Sequence, residues 1–322
     1  MARILTGIQS TGTPHLGNVL GAIRPAIALS RDSANESFLF IADLHTLTQI
    51  KDPVVLRENT YAVAAAWLAC GLDTGRSVFY RQSDVAEVAE LSWYLSCFFP
   101  YSRLALAHGF KDKADRLDDV NAGLFTYPML MAADILLYDA HFVPVGKDQR
   151  QHVEMTRDVA ERFNHQMGET FVLPEGRVDE QVMIVPGTDG EKMSKSRGNL
   201  LRIFAPEKEL KKEVMGIVTD SVPMEEPKDP EANTVYKLFK LVAPADAVAD
   251  MADKFRAGGY GYGHAKKALL EALLDGFRNE RDTFDRLMAD RSVINAELKS
   301  GAVKARAIAH EVLGRVRSKL GY

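Results

Sequence analysis

At 322 residues the chain exceeds the usual single domain, so a main domain plus a second one is expected. Hydrophobic content of 46% and charged content of 26% are ordinary for a soluble globular protein with a sizeable core. A net charge of −4 excludes a globally basic nucleic-acid binder, so such a partner must meet a local basic patch.

The N-terminus runs straight into Arg3 to Ile8, a strand candidate with no charged-then-apolar leader before it. No apolar helix is long enough for a membrane span before a polar residue interrupts it, so a cytoplasmic protein off the membrane is expected. After the first strand comes Gly7 to Asn18, a small-residue loop entering a helix near Gly17. Gly12 and Gly17 have Walker spacing, but Asn18 and Val19 stand where that loop needs Lys and Ser/Thr. What remains is a strand, a loop with exposed amides and a helix start, which suits an anion, with His15 adding a hydrogen-bonding ring. A plain Gly-rich turn is the competing reading.

Further strand candidates are Ser37 to Ala42, Ser77 to Gln82, His141 to Val145 and Gln181 to Val185. Helix-like segments fall between them at Gly17 to Ser30, Pro53 to Cys70, Val85 to Phe99 and Pro128 to Tyr138. Asp52-Pro53 is an N-cap followed by proline at the first helical position. This alternation predicts an α/β fold, a doubly wound parallel sheet with its ligand beyond the carboxyl ends of the strands. Cys70 and Cys97 are the only cysteines, too few for a four-thiolate metal site, and both read as buried small hydrophobes in a reducing compartment.

In the run from Thr126 to Tyr138, Pro128 can open a helix that carries Tyr127, Met131, Asp134 and Tyr138 on one face. A carboxylate in so apolar a run is costly unless something donates to it. A buried Asp satisfied by a nearby backbone amide or arginine is the bland alternative. Farther on, Lys192-Met193-Ser194-Lys195-Ser196 lies between Gly190 and Gly198. Its ammonium and hydroxyl groups can wrap a polyphosphate, and the glycines let the loop move. Alone it also reads as a solvated basic loop.

After about residue 200 no strand pattern remains. Pro223, Pro227 and Pro230 punctuate one loop, Gly258 to Gly263 form another break, and a long helical run follows from His264 to Met288. The boundary is therefore placed at 200: residues 1–200 as the wound α/β domain and 201–322 as an all-helical second domain, whose last helix can pack back on the first. Ala302 to Leu320 carries Lys304, Arg306, Arg315, Arg317 and Lys319 against Glu311, a candidate nucleic-acid contact or a solvated helix face.

His15-Leu16-Gly17-Asn18 is similar to the HIGH tetrapeptide, with Asn18 replacing the second histidine, and 192–196 is an unaltered KMSKS. Together, in this order on a wound α/β chain, they resemble the class I aminoacyl-tRNA synthetases, with a Rossmann-like catalytic domain and a helical anticodon-binding domain. The short chain points to the tyrosyl/tryptophanyl branch. The Thr126 to Tyr138 run, with Val143 to Gln149, resembles tryptophanyl-tRNA synthetases over nearly the whole chain. That resemblance implies activation of L-tryptophan with ATP, transfer to tRNA(Trp), Mg²⁺ carried on the ATP phosphates and not by a protein site, and a homodimer. It implies that Asp134 accepts the indole N–H, Tyr127, Gln149 and Gln9 hold the polar end, and Met131 and Val143 line the ring pocket. His45 matches a position near that pocket but equally reads as a structural histidine, and Leu5 replaces the Phe of many relatives. To ATP it gives Gln9, Ser10, Thr11, Gly17, Asn18, Gly146, Lys147, Asp148 and an apolar residue near Met183, besides the KMSKS residues Lys192, Met193, Ser194, Lys195 and Ser196. Its catalytic set is His15, Asn18, Lys192, Lys195 and Lys113. Lys113 shares a second basic loop with Lys111, although Asp115, Asp118 and Asp119 depart from the pattern. A tyrosyl-tRNA synthetase, a paralogue that binds without charging, and a small nucleotidyltransferase are the alternatives.

Overall fold

The computed structural model describes residues 1–107, 120–146, 149–178 and 184–322. Five parallel strands among them form one sheet: β1 (Ala2–Ile8), β2 (Asn35–Ile41), β3 (Val78–Arg81), β4 (Phe142–Val145) and β5 (Glu175–Val178), in the order β3-β2-β1-β4-β5. The chain reverses its direction of travel across the sheet between β1 and β4, the place where wound sheets open a crevice.

Four of these strands fall where the apolar runs predict them. The fifth does not. Of the run predicted over Gln181 to Val185, residues 181–183 lie outside the described residues, and Ile184 and Val185 are not in a strand. A strand that the apolar pattern missed is Glu175–Val178, and its polar composition has a physical reason. Among the described residues it pairs with β4 alone, at the sheet edge, so it needs no apolar residues on both faces.

The helices are α1 (Arg24–Arg31), α2 (Pro53–Ala69), α3 (Glu87–Phe98), α4 (Ala122–Leu136) and α5 (Arg150–Met167) between strands, preceded by a tight helical entry at Leu16–Asn18 and a π-turn at Val19–Ile23. Asp52 caps α2, accepting from Val54 and Val55 at 2.8 and 3.0 Å. Helix α4 starts six residues earlier than predicted, because Asn121 caps it by accepting the Leu124 N–H at 3.1 Å. Pro128 therefore sits inside the helix and not at its first position, which leaves the Leu124 carbonyl without its usual N–H donor.

Beyond residue 200 the described regular elements are helical: α6 (Glu207–Met215), α7 (Thr234–Val242), α8 (Ala245–Ala257), α9 (Tyr262–Gly276), α10 (Arg278–Ala289) and α11 (Ser292–Leu320). The run predicted from His264 to Met288 breaks at Phe277, a buried ring that fixes the corner between α9 and α10. Strand alternation divides the core. Leu39, Ile41 and Phe79 face one cluster with α1, α2 and the helices from α6 to α10, while Phe38, Phe40, Val78 and Tyr80 face another with α3, α4, α5 and α11.

Helix α11 returns to the sheet and covers β3. Gly301 lies so close that a Cβ there would overlap the Phe79 carbonyl. Alanine normally gains about 1 kcal/mol over glycine inside a helix. Here overpacking against a strand backbone, about 1–3 kcal/mol and without a flexible side chain to give way, outweighs it. Gly301→Ala is expected to lower the urea midpoint; a raised midpoint would refute the close packing.

Several basic residues of α11, read as a candidate nucleic-acid contact or a solvated helix face, are engaged within the chain. Arg306 donates to Glu87 at 3.0 Å, Arg315 to Asp139 at 2.6 and 3.1 Å, and Arg317 to Glu90 at 2.5 and 2.6 Å. Lys304 reaches the Thr74 carbonyl at 3.4 Å. Exposed pairs contribute little each, about 0–1 kcal/mol, but together they set where α11 docks. The cysteines also differ from expectation: Cys97 is exposed on α3, and Cys70 is half-buried, its thiol pushed up to about 12 by burial. No helix among the described residues is long and apolar enough to cross a membrane.

Candidate active site

Where β1 and β4 meet lies a cavity of about 940 Å³, lined by residues along both strands and by the segments that follow them. All eight residues expected around the ring and polar end of an amino acid line it: Leu5, Gln9, His45, Tyr127, Met131, Asp134, Val143 and Gln149. Gly146 lines it as well. Sequence reasoning missed Phe40, which also faces the cavity and lies over Gly7 so closely that a Cβ on Gly7 would strike its ring.

Asp134 is 2% exposed on α4, and burial pushes its carboxyl up. Two donors oppose that. His45 Nε2 lies 2.9 Å from Oδ2, and Gln82 Nε2 lies 2.8 and 2.9 Å from Oδ1 and Oδ2. The bland reading of Asp134 named a nearby backbone amide or an arginine as its partner; the partners are the side chains of a histidine and a glutamine. Gln82 was not singled out, although an amide ending an apolar strand is the available signal. Tyr127 is fixed by its hydroxyl, 2.6 Å from Nε2 of the buried His152, a second residue the pattern did not single out.

The two phosphate-directed loops meet. Lys195 Nζ donates to Thr11 Oγ1 and to the Gly12 carbonyl, both at 3.1 Å. Leu16 N–H donates to the Leu201 carbonyl at 2.9 Å, tying the helix start to the strand-like segment after the second loop. Gly12 has φ 140°, a conformation that side chains rarely adopt, and a Cβ there would stand 3.5 Å from Lys195 Nζ. Burial lowers the Lys195 ammonium to about 8.

His15 is 4% exposed, and burial first, then the neighbouring Lys195 charge, lower it to about 4. It is therefore neutral near pH 7. Its Nδ1 accepts the Asn18 N–H at 3.3 Å, so the ring proton sits on Nε2 as a donor. Asn18 Oδ1 accepts the His15 N–H at 3.2 Å, closing a reciprocal cap at the helix start. The departure from a second histidine thus has a structural use.

Two expected nucleotide contacts are placed otherwise. Ser10 is fully buried, and both its N–H and its hydroxyl bond Thr46 Oγ1 at 3.1 Å, so it braces the loop and offers no side-chain donor to a nucleotide. Met193 is buried in the core and its N–H donates to Val185 O at 2.9 Å, so its side chain anchors the second loop. The loop is shaped further by Asn199, which accepts the Ser194 N–H at 2.8 Å and donates to Asp189 at 2.6 Å. Lys192 and Ser196 are exposed, and Ser194 Oγ lies 3.3 Å from Ser196 Oγ. Lys111, Lys113, Lys147, Asp148 and Met183 lie outside the described residues. No group of three or more His, Cys, Asp or Glu placed to hold a metal occurs among the described residues.

Comparison with known proteins agrees with this geometry. The family described as tRNA synthetases class I (W and Y) matches residues 1–278. The chain is 48% identical over 319 residues to a tryptophan–tRNA ligase of Rhodopirellula baltica, covering 99% of each. A tryptophan–tRNA ligase of Fusobacterium nucleatum is 46% identical over 322 residues, covering 100% of this chain and 98% of that one. Among solved structures, tryptophanyl-tRNA synthetase from Campylobacter jejuni, complexed with ADP and tryptophan, superposes with a TM-score of 0.95 at 45% identity, covering 99% of this chain and 100% of its own. Matched over nearly its whole length at this level, the chain belongs to the class I tRNA synthetases, among the tryptophanyl-tRNA synthetases.

Proposed function

We propose that this chain joins L-tryptophan to ATP, forming tryptophanyl-adenylate and pyrophosphate, and passes the aminoacyl group to tRNA(Trp) in the cytoplasm. The observation that carries the reading is one cavity whose wall holds a buried acceptor, Asp134, together with apolar side chains and the polar groups of Gln9, Tyr127 and Gln149. An indole offers one N–H on a large apolar ring, and Asp134 is the acceptor in reach of such a group. The substrate carboxylate itself attacks the α-phosphorus, and the bond to the β-phosphate bridging oxygen breaks. No protein nucleophile is needed, so catalysis rests on positioning and on charge stabilisation.

In this reading Thr11, Gly12, Gly17 and Gly146 approach ATP, His15 donates through Nε2, and Lys195 leaves Thr11 and Gly12 for the phosphates. Lys192, Ser194 and Ser196 follow with the same loop, and Lys113, Lys147, Asp148 and Met183 complete the nucleotide side. Magnesium would come on the phosphate oxygens, as it commonly does. The described side chains supply no cage for it, and no step is routed through it.

Residues 1–200 form the catalytic unit in this proposal, and the helices after 200 read the tRNA through surfaces other than the paired arginines of α11. A second copy is expected on the face around α3 and α4. Leu47, Trp93 and Tyr101 are 45%, 69% and 75% exposed there, beside a groove of about 330 Å³ lined by Leu44, Leu47, Ser92 and Leu130. Sedimentation tests the dimer. Charging of bulk tRNA with labelled tryptophan tests the function: incorporation of tryptophan is expected, and none would overturn the reading.

A further inference from the structure

Gln82 follows β3, is 1% exposed, and stands outside the cavity lining, behind Asp134. Its amide orientation is determined by its partners. Oε1 accepts the Leu44 N–H at 3.1 Å, which leaves Nε2 to face the carboxylate. That nitrogen bridges both Asp134 oxygens. The two loops involved are stapled together next to this contact: Asp43 accepts the Ser83 N–H at 3.0 Å and the Ser83 hydroxyl at 2.5 Å. His45 comes from the first loop and Gln82 from the second, so the staple sets both donors in one register.

An ionised carboxylate offers about four acceptor sites. Gln82 and His45 fill one on Oδ1 and two on Oδ2. We propose that Gln82 is a positioning residue for tryptophan specificity: by bridging both oxygens it fixes the carboxylate plane and leaves the remaining Oδ1 site for the indole N–H. The proposal rests on the reading of Asp134 as indole acceptor. Gln82 does not touch the substrate; it acts through Asp134. A glutamine that merely filled a buried polar space would affect stability and all substrates alike.

Gln82→Met, which keeps the volume and removes both donors, and Gln82→Glu, which keeps the shape, separate these cases. Tryptophan KM in ATP–pyrophosphate exchange should rise about 10- to 100-fold, the range for losing hydrogen bonds to a charged group. The kcat and the KM for ATP should stay within about threefold of the parent in the same estimate. Equal changes in ATP KM, or a tryptophan KM within about twofold of the parent, would overturn the proposal. If Q82M does not fold, Q82E decides. Asp134→Ala run in parallel distinguishes the failures, because it removes the acceptor altogether. A raised tryptophan KM in D134A with none in the Gln82 variants removes Gln82's role alone; an unchanged KM in D134A removes the acceptor reading and this proposal with it.

Discussion

Replacing Lys195 by alanine is expected to slow tryptophan-dependent ATP–pyrophosphate exchange by about 10²- to 10³-fold, the usual loss for one preorganised charge-stabilising donor. Tryptophan affinity should barely change, because Lys195 does not line the cavity proposed to take the amino acid. The reason for the size lies in its surroundings. The ammonium is partly desolvated and held by two neutral oxygens, Thr11 Oγ1 and Gly12 O, which compensate its charge only weakly. A transferring phosphate is a stronger partner than either. An exchange rate unchanged in Lys195→Ala would remove the loop from the mechanism.

The same residue predicts a pH dependence. Lys195 titrates at about 8 in the free enzyme, lowered by burial. Below that value it carries the charge that attracts phosphate; above it the charge is lost. The kcat/KM for ATP, which reports free-enzyme groups, should therefore fall above about pH 8. Lys195→Arg keeps its charge throughout and should flatten that alkaline limb.

Asp134→Ala carries the second large effect. It removes the acceptor and leaves His45 and Gln82 as buried donors facing a void. Loss of a hydrogen bond to a charged group, together with stranded donors, predicts a fall in kcat/KM for tryptophan of about 10²-fold or more. Discrimination against phenylalanine, which has no N–H to pair, should shrink by a similar factor. Sites built around a buried polar partner reject unpaired analogues by roughly 10⁴ to 10⁵ in favourable cases. Fluorescence titration with both amino acids would show the change; preserved discrimination would contradict it.

Much of the architecture was legible because β1, β2, β3 and β4 are apolar runs between helical segments, and buried parallel strands have that pattern. Strand β5 was not, because an edge strand pairs on one side and can be polar. The start of α4 was hidden by Pro128, whose helix-opening tendency was overridden by the Asn121 cap and by burial of the preceding turn. The site divides the same way. The eight amino-acid residues were legible through resemblance, and the cavity unites them. Gln82 and His152 were invisible because their importance comes from residues distant in sequence: Asp134 is 52 positions from Gln82, and Tyr127 is 25 from His152. Ser10 and Met193 show the converse. They sit inside matching motifs, yet one braces Thr46 and the other fills the core, since a motif fixes residue types and not which side chains face the ligand. The arginines of α11 likewise read as a basic patch in one dimension and as docking pairs in three.

In the proposed reading, the cavity wall around Asp134 selects tryptophan over tyrosine. The most direct measurement is therefore ATP–pyrophosphate exchange by the intact protein, driven by tryptophan or by tyrosine at equal concentration. Robust exchange with tryptophan and a rate with tyrosine lower by about 10³-fold or more is the result expected of a pocket whose buried acceptor is placed for an indole N–H and would be left unpaired by a phenol hydroxyl set elsewhere on a smaller ring. Comparable exchange with tyrosine, or none with tryptophan, would contradict it.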